Sequence, residues 1–248
     1  MGVTRGSIYP CIEDGLIWSW DPKNRNCWDG GTDGKGYPAD WTNRSSGTAN
    51  IVLTNTGPGF TDGAMESEGY FHFDGTDDVL NITDTFNDLY GDTTGYPYTV
   101  SVWCKADTVS TRAFIIGSMG SGWGAGVMMV RFEDGGASTG GNDTAVFTMD
   151  SWNNNMCSGS VTFTDWNNIV GTVDSSRNCK IYVNGVAGST ATSDAPALIY
   201  NFSIGNSTNP SDGRDFDGKI GPCQVWNREL TAGEVLTNYN RLKGRFGL

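Results

Sequence analysis

Through most of this chain hydrophobic and polar residues alternate with a period of two, and a period near 3.6 emerges only at its end. The clearest alternating run is YTVSVWCKA. It places Val100, Val102, Cys104 and Ala106 on one face of a strand and Ser101, Trp103 and Lys105 on the other. WNNIVGTVD ends at the turn DSSRN, Asp174 to Asn178, which leads back into NCKIYVNGVAGS. There Cys179, Ile181 and Val183 alternate with Lys180 and Tyr182, and Asn184-Gly185 supplies the positive φ angles of a type I′ turn. The pattern predicts a three-stranded meander, and GYFHFDG and NFSIGN predict further short strands.

The last nineteen residues, LTAGEVLTNYNRLKGRFGL, read differently. Thr231 with Glu234 three positions on is a capping box, in which the hydroxyl takes one orphan N–H and the carboxylate reaches back for another. Val235, Leu236, Tyr239 and Leu242 then form an apolar stripe at helical spacing. Arg241 and Lys243 suit the negative end of the helix dipole, and Gly244 is a plausible stop. A helix over 231–243 is predicted, docked on the strands through this stripe, Leu236 included. No Gly/Ser/Pro linker and no internal repeat interrupt the 248 residues, so a single all-β domain is the simplest organisation.

Composition supports that class. Thirty-five Gly, nine Trp, nine Tyr and eleven Phe suit many turns around an aromatic core. The formal net charge of −12 repels phosphate and excludes nucleic acid as a partner, while favouring solubility and cation sites. No apolar run reaches the roughly 18 residues of a membrane span, so membrane insertion is not expected. MGVTRGSIYP has no apolar h-region, and Gly6 stands where a myristoylation motif wants Ser or Thr. Synthesis in a cytoplasm is therefore expected. Cys11, Cys27, Cys104, Cys157, Cys179 and Cys223 show no CxxC spacing. Their even number leaves a disulfide framework open, but their wide spacing and the absence of an export signal favour reduced thiols that pack as small hydrophobes.

Several pieces combine into a resemblance. GLIWSWDPKNRNCW, FHFDGTDDVLNI, YTVSVWCKA, WNNIVGTVD with KIYVNGVAGS, SIGNS and FDGKIGPCQVWNRELTAGEVLTNYNRLKGRFGL occur in an order and spacing that resemble the laminin G-like, concanavalin A-like jelly rolls. The resemblance covers roughly Gly15 to Leu248 and implies a two-sheet antiparallel β-sandwich in which a helix after the last strand packs across the sandwich and the tail closes the domain. Residues 1–14 fall outside it and are expected to form an N-terminal arm. The phrase EVLTNYNRLKGRFGL looks like the ending of laminin G-like proteins in tailed phages of marine bacteria, notably cyanophages. Two departures stand out: Gly221-Pro222 where many relatives carry an acidic pair, and Trp166, Asn167, Asn168 and Ile169 where relatives often carry WHHV.

Candidate chemistry is sparse. The single histidine, His72, alternates with Phe71 and Phe73 and is expected to face solvent, and no nucleophile elbow surrounds any Ser. None of Glu13, Glu66, Glu68, Glu133, Glu229 and Glu234 heads the E-x-D-x-x-E arrangement of glycosidases on this fold, so no enzyme is expected. DGTDD places Asp74, Asp77 and Asp78 in one tight turn, which suits a hard cation as well as simple turn capping. The resemblance implies calcium near this turn and near Asp217-Gly218, giving Asp74, Asp77, Asp78 and Asp217 as the ligand set. For sugar binding, Trp123 in GSGWGAG and Trp152, Asn153 and Asn154 in SWNNN combine rings with amides, with Trp103 as a further ring on a strand face.

Two classes of function follow. One is a virion structural protein of a tailed phage, decorating the capsid or associated with a fibre or tail, assembled in the host cytoplasm and possessing a glycan-adhesion role. The other is a carbohydrate-binding module or secreted adhesin of a bacterium. In the first class partner contacts are expected from Arg5 and Tyr9 in the arm and from Arg241, Lys243 and Arg245 in the tail, with other virion proteins and further copies of the chain as partners and cell-surface polysaccharide as ligand.

Overall fold

The computed structural model describes residues 11–22, 41–42, 50–51, 53–54, 69–76, 78–85, 96–109, 112–118, 128–134, 143–151, 154–192, 201–206 and 213–248. In chain order the strands are β1 (Leu16–Trp20), β2 (Trp41–Thr42), β3 (Asn50–Ile51), β4 (Leu53–Thr54), β5 (Phe71–Asp74), β6 (Leu80–Thr85), β7 (Tyr98–Thr108) and β8 (Arg112–Ser118), then β9 (Met128–Glu133), β10 (Thr144–Ser151), β11 (Asn154–Ser160), β12 (Asn167–Val173), β13 (Asn178–Val183), β14 (Val186–Thr192), β15 (Asn201–Ile204) and β16 (Asp217–Trp226). Helix α1 (Ala232–Leu242) and a 3-10 turn over Lys243–Phe246 close the chain.

The strands form two antiparallel sheets. The first runs β1-β16-β7-β12-β13-β14, with β5 beside the opening half of β16 and β1 beside its closing half. The second runs β11-β10-β9-β8-β15-β6-β4, and β2 and β3 form a separate two-stranded ribbon. This is the antiparallel sandwich with one C-terminal helix that the resemblance implies. The meander appears as β12, β13 and β14, joined through Asn184 (φ 53°) and Gly185 (φ 78°) as a type I′ turn requires.

Alternation along the strands builds the core between the sheets. Val100, Val102 and Cys104 of β7, Ile169 of β12 and Ile181 of β13 meet Ile116, Val130, Phe132 and Phe147 of the second sheet, and all are fully buried. Gly171 in β12 makes room for a ring: a Cβ there would lie 2.5 Å from Phe147. In β16 the pairing with β7 steps from Ile220↔Cys104 to Cys223↔Val102, so Gly221-Pro222 sits at a bulge. A bulge leaves a residue out of the ladder, which is where a proline without an N–H is tolerated.

The outer face of the first sheet carries a second apolar cluster of Cys11, Val170, Tyr182, Trp226, Leu230 and Val235. The capping box forms as expected: Thr231 Oγ1 accepts from Glu234 N at 3.3 Å, and Thr231 N donates to Glu234 Oε2 at 2.9 Å. The docked face of α1 differs from the predicted stripe. Val235, Asn238 and Leu242 are buried, whereas Leu236 is 46% exposed and rests beside Gly185 of the hairpin turn. Spacing admits either neighbour as the inward residue; the sheet beneath selects Val235. The helix also runs through Gly244 into the 3-10 turn, and the left-handed stop falls at Gly247 (φ 76°).

Two further expectations are corrected. Trp103 is no sugar platform: it is 1% exposed, stacked on Tyr239 (5.7 Å between centroids, 6° between planes) and on Phe246 (4.4 Å, 19°). Phe246 also meets Trp166 at 4.4 Å. The tail therefore closes the domain by inserting a ring over Trp103 of β7 and Trp166 just before β12. Residues 11–14 are not part of a loose arm. Cys11 is buried, Ile12 N donates to Asn238 Oδ1 at 2.8 Å, Trp226 Nε1 donates to the Ile12 carbonyl at 2.7 Å, and Arg228 Nε donates to the Asp14 carbonyl at 3.0 Å. Residues 1–10, with Arg5 and Tyr9, lie outside the described residues.

Candidate functional site

Antiparallel pairing brings the C-terminal ends of β5 and β7 to the start of β16, so Asp217 is registered with Asp74 on one side and Thr108 on the other. Both strand ends carry an Asp-Gly step, and both glycines are required by close approach. A Cβ on Gly75 (φ 73°) would lie 2.7 Å from Asp217 Cβ, and one on Gly218 (φ 144°) would lie 2.3 Å from the Lys105 carbonyl. The β7–β16 register slips between Asp217 and Gly218, leaving Asp107 unregistered. Asp107 Oδ2 then reaches the His72 Nε2 at 2.9 Å.

The result is an open, oxygen-rich cleft of about 260 Å³ at one end of the sandwich, walled by Asp74, Gly75, Thr108, Val109, Asp215 and Asp217. The Thr108 hydroxyl donates to Asp217 Oδ2. Asp74 Oδ1 accepts from Thr76 N at 2.8 Å, which sets the turn. Beside the cleft, the ligand-capable atoms of His72, Asp107 and Asp217 lie within 4.8 Å of one another. Asp215, held by the Asn206 side-chain amide, is a cleft residue that sequence reasoning missed. The segment FDGKI pointed to Asp217 through its Asp-Gly step, and Asp215 two positions earlier carried no such marker.

The predicted calcium ligands divide. Asp74 and Asp217 come together in the cleft. Asp78 is 1% exposed, and its Oδ2 accepts the Asp74 backbone N–H at 2.9 Å, the turn-capping alternative. Asp77 lies outside the described residues. Carboxylate and hydroxyl oxygens are the donor type a hard cation prefers, whereas the imidazole of His72 is not. Among the described residues the carboxylates within common reach of one another are those of Asp107 and Asp217, and these carry the fit to calcium; Asp74 and Asp215 line the adjoining cleft.

The other predicted positions are placed as follows. Trp123, Trp152 and Asn153 lie outside the described residues, and Asn154 begins β11. Arg241 is exposed on α1, and Lys243 Nζ lies 5.5 Å above the Tyr239 ring. Arg245 is not available to a partner: its Nη1 donates to Asp21 Oδ1 and Oδ2 at 2.8 and 2.9 Å, and its Nη2 donates to the Gly69 carbonyl at 2.5 Å. Arg228 likewise forks onto Glu234 at 3.0 and 2.6 Å.

This chain belongs to the concanavalin A-like lectin/glucanase superfamily, whose laminin G-type member matches residues 74–236. No curated protein matches it in sequence. Among solved structures it is similar to a Trypanosoma rangeli sialidase in complex with 2,3-difluorosialic acid, at 14% identity and a TM-score of 0.59, over 91% of this chain and 33% of that one. It is also similar to a botulinum neurotoxin type C that depends on two ganglioside molecules for entering cells (16%, TM-score 0.62, 93% and 52%). A third is the binding domain of botulinum neurotoxin DC in complex with SialylT (15%, TM-score 0.58, 93% and 52%). The chain thus spans a third to a half of these proteins, and at such identities the likeness is one of fold.

Proposed function

We propose that this protein is a non-catalytic carbohydrate-binding domain displayed on a phage virion, with the Asp74–Asp217 cleft as its sugar subsite. The observation that carries the reading is the cleft itself: three carboxylate residues and a threonine line an open end of the sandwich without a large apolar floor. Carboxylates accept hydrogen bonds from paired sugar hydroxyls, which gives orientation in a wet, shallow site. The structural neighbours that are described with sialic acid, a sialyl ligand or gangliosides support glycan recognition on this fold. Their acidic ligands do not suit this chain. A net charge of −12 and an aspartate-lined cleft repel a sugar carboxylate, so the ligand class here is a neutral oligosaccharide. Calcium would fit at the edge of the cleft: Asp107 and Asp217 would hold it, and it would supply coordination to sugar hydroxyls while offsetting the repulsion between the carboxylates.

The virion setting rests on the terminal phrase, and the non-catalytic reading on the missing E-x-D-x-x-E and nucleophile-elbow patterns. Exposed Arg241 and the adjoining Lys243 remain the tail residues available for a neighbouring virion subunit.

The test is a glycan array of neutral and sialylated oligosaccharides, with calcium and with chelator, on the intact chain and on Asp217→Asn. Neutral glycans should be retained in preference to sialylated ones, and Asp217→Asn should weaken retention at least about tenfold, the loss of one charge-assisted hydrogen bond or more. Absence of binding by the intact chain, or undiminished binding by Asp217→Asn, overturns the cleft assignment. Detection of the chain by mass spectrometry in purified particles checks the virion setting, and its absence there favours the bacterial module.

A further inference from the structure

The sandwich closes along one side where β11, the edge of the second sheet, packs against β13 and β14 at the edge of the first. The approach is close enough to exclude side chains. A Cβ on Gly188 would lie 2.5 Å from the Ser158 carbonyl, and one on Gly159 would lie 2.7 Å from Val183 Cγ2. Ser158 N donates across the seam to Ser189 Oγ at 2.7 Å. Within it, Cys157 of β11 and Cys179 of β13 point at each other from opposite sheets, both buried, with their Sγ atoms 2.7 Å apart. Well under an ångström of movement brings two sulfurs at that distance to bonding separation, about 2.05 Å. Cys179 has a second property. It lines a surface cavity of about 340 Å³ beneath the β12–β13 turn, together with Asn178, Lys180, Ala191 and Thr192.

We propose that Cys157 and Cys179 are a dithiol/disulfide pair that staples the two sheets at this seam, oxidised by a small-molecule disulfide that reaches Cys179 from the cavity side as the seam opens. The Cys179 thiolate attacks one sulfur of the small disulfide, breaking its S–S bond and releasing one small thiolate. The Cys157 thiolate then attacks Cys179 Sγ in the mixed disulfide, forming the Cys157–Cys179 bond and releasing the second small thiolate. The two protein thiol protons pass to the two released thiolates, and the two electrons reside in them. The order of attack follows from the placement: Cys179 lines the cavity and Cys157 does not. In a reducing cytoplasm the pair stays a dithiol, and it closes after release into an oxidising medium. The other described cysteines, Cys11, Cys104 and Cys223, are buried with their thiols pushed up by burial, and they remain unreacted.

The test incubates the folded full-length protein with millimolar oxidised glutathione, quenches with acid, alkylates under denaturing conditions and maps peptides by mass spectrometry. Four of the six cysteines should be alkylated, with one linked peptide pair joining 157 to 179. The oxidised protein should melt on the order of 10 °C above the reduced one, because the bridge closes a loop of moderate length in the unfolded chain. Cys157→Ser should yield no linked pair and leave Cys179 as a mixed disulfide with glutathione while the other four thiols alkylate; the wild-type peptide map stands by itself if that variant does not fold. Six alkylated cysteines after exposure, or a linked pair that involves any other cysteine, overturns the proposal.

Discussion

Replacing Val235 by alanine tests how the C-terminal helix is held. Val235 is completely buried in the outer cluster with Cys11, Val170, Tyr182, Trp226 and Leu230, whereas its neighbour Leu236 is 46% exposed at the hairpin turn. Val235→Ala removes two methyl groups. Their transfer term is about 0.8 kcal/mol each, and part of the vacated volume persists as a cavity, so the total is about 2 kcal/mol. Leu236→Ala removes more atoms, yet the side chain is already about half in water, and its effect should stay below about 1 kcal/mol. For a chain of this length 2 kcal/mol corresponds to a fall in Tm of about 4–8 °C. Urea unfolding followed by tryptophan fluorescence suits the question, because Trp226 packs in the Val235 cluster and Trp103 stacks on Tyr239 and Phe246. The expected result is a lower midpoint for Val235→Ala at unchanged m-value. Equal effects of the two substitutions, or a larger effect at Leu236, would refute the docking geometry.

The helix start should be sensitive to acid. The Arg228 guanidinium, hydrogen-bonded to Glu234 and aided by the Thr231 contacts, holds this carboxyl at about 2 against an ordinary 4.5. Because the folded value is depressed, the stabilisation is fully present above pH 4.5 and is lost as pH falls towards 2. With the side chain 27% exposed and screened, about 1–2 kcal/mol is at stake, and Glu234→Gln should flatten the pH dependence of Tm across that window. An equally steep profile in the variant would place the acid sensitivity elsewhere. In the core, Gly171→Ala sets a methyl 2.5 Å from the Phe147 ring, and the resulting overpacking should cost about 1–3 kcal/mol in a thermal melt. An unchanged melting temperature would mean that the ring yields freely.

Local physics was enough to reveal much of this protein in its sequence. Alternation marked β7, β12 and β13, Asn184-Gly185 marked the hairpin, and Thr231 with Glu234 marked the helix start, because each depends on residues a few positions apart. The Asp-Gly steps at 74–75 and 217–218 likewise announced backbone that only glycine permits. What joins them is tertiary. That the two steps stack on each other, with Asp215 completing the cleft, follows from the pairing of β5 with β16, which no local pattern encodes. The same holds for the choice of Val235 over Leu236 and for the burial of Trp103. A stripe or a strand face is defined by period alone, but whether it is covered depends on which distant segment arrives, here the tail ring of Phe246 and residues 11–14. Cys157 and Cys179 carry no motif at all. Their contact exists because two sheets close at a seam lined with glycines, a juxtaposition set by the packing of the whole sandwich.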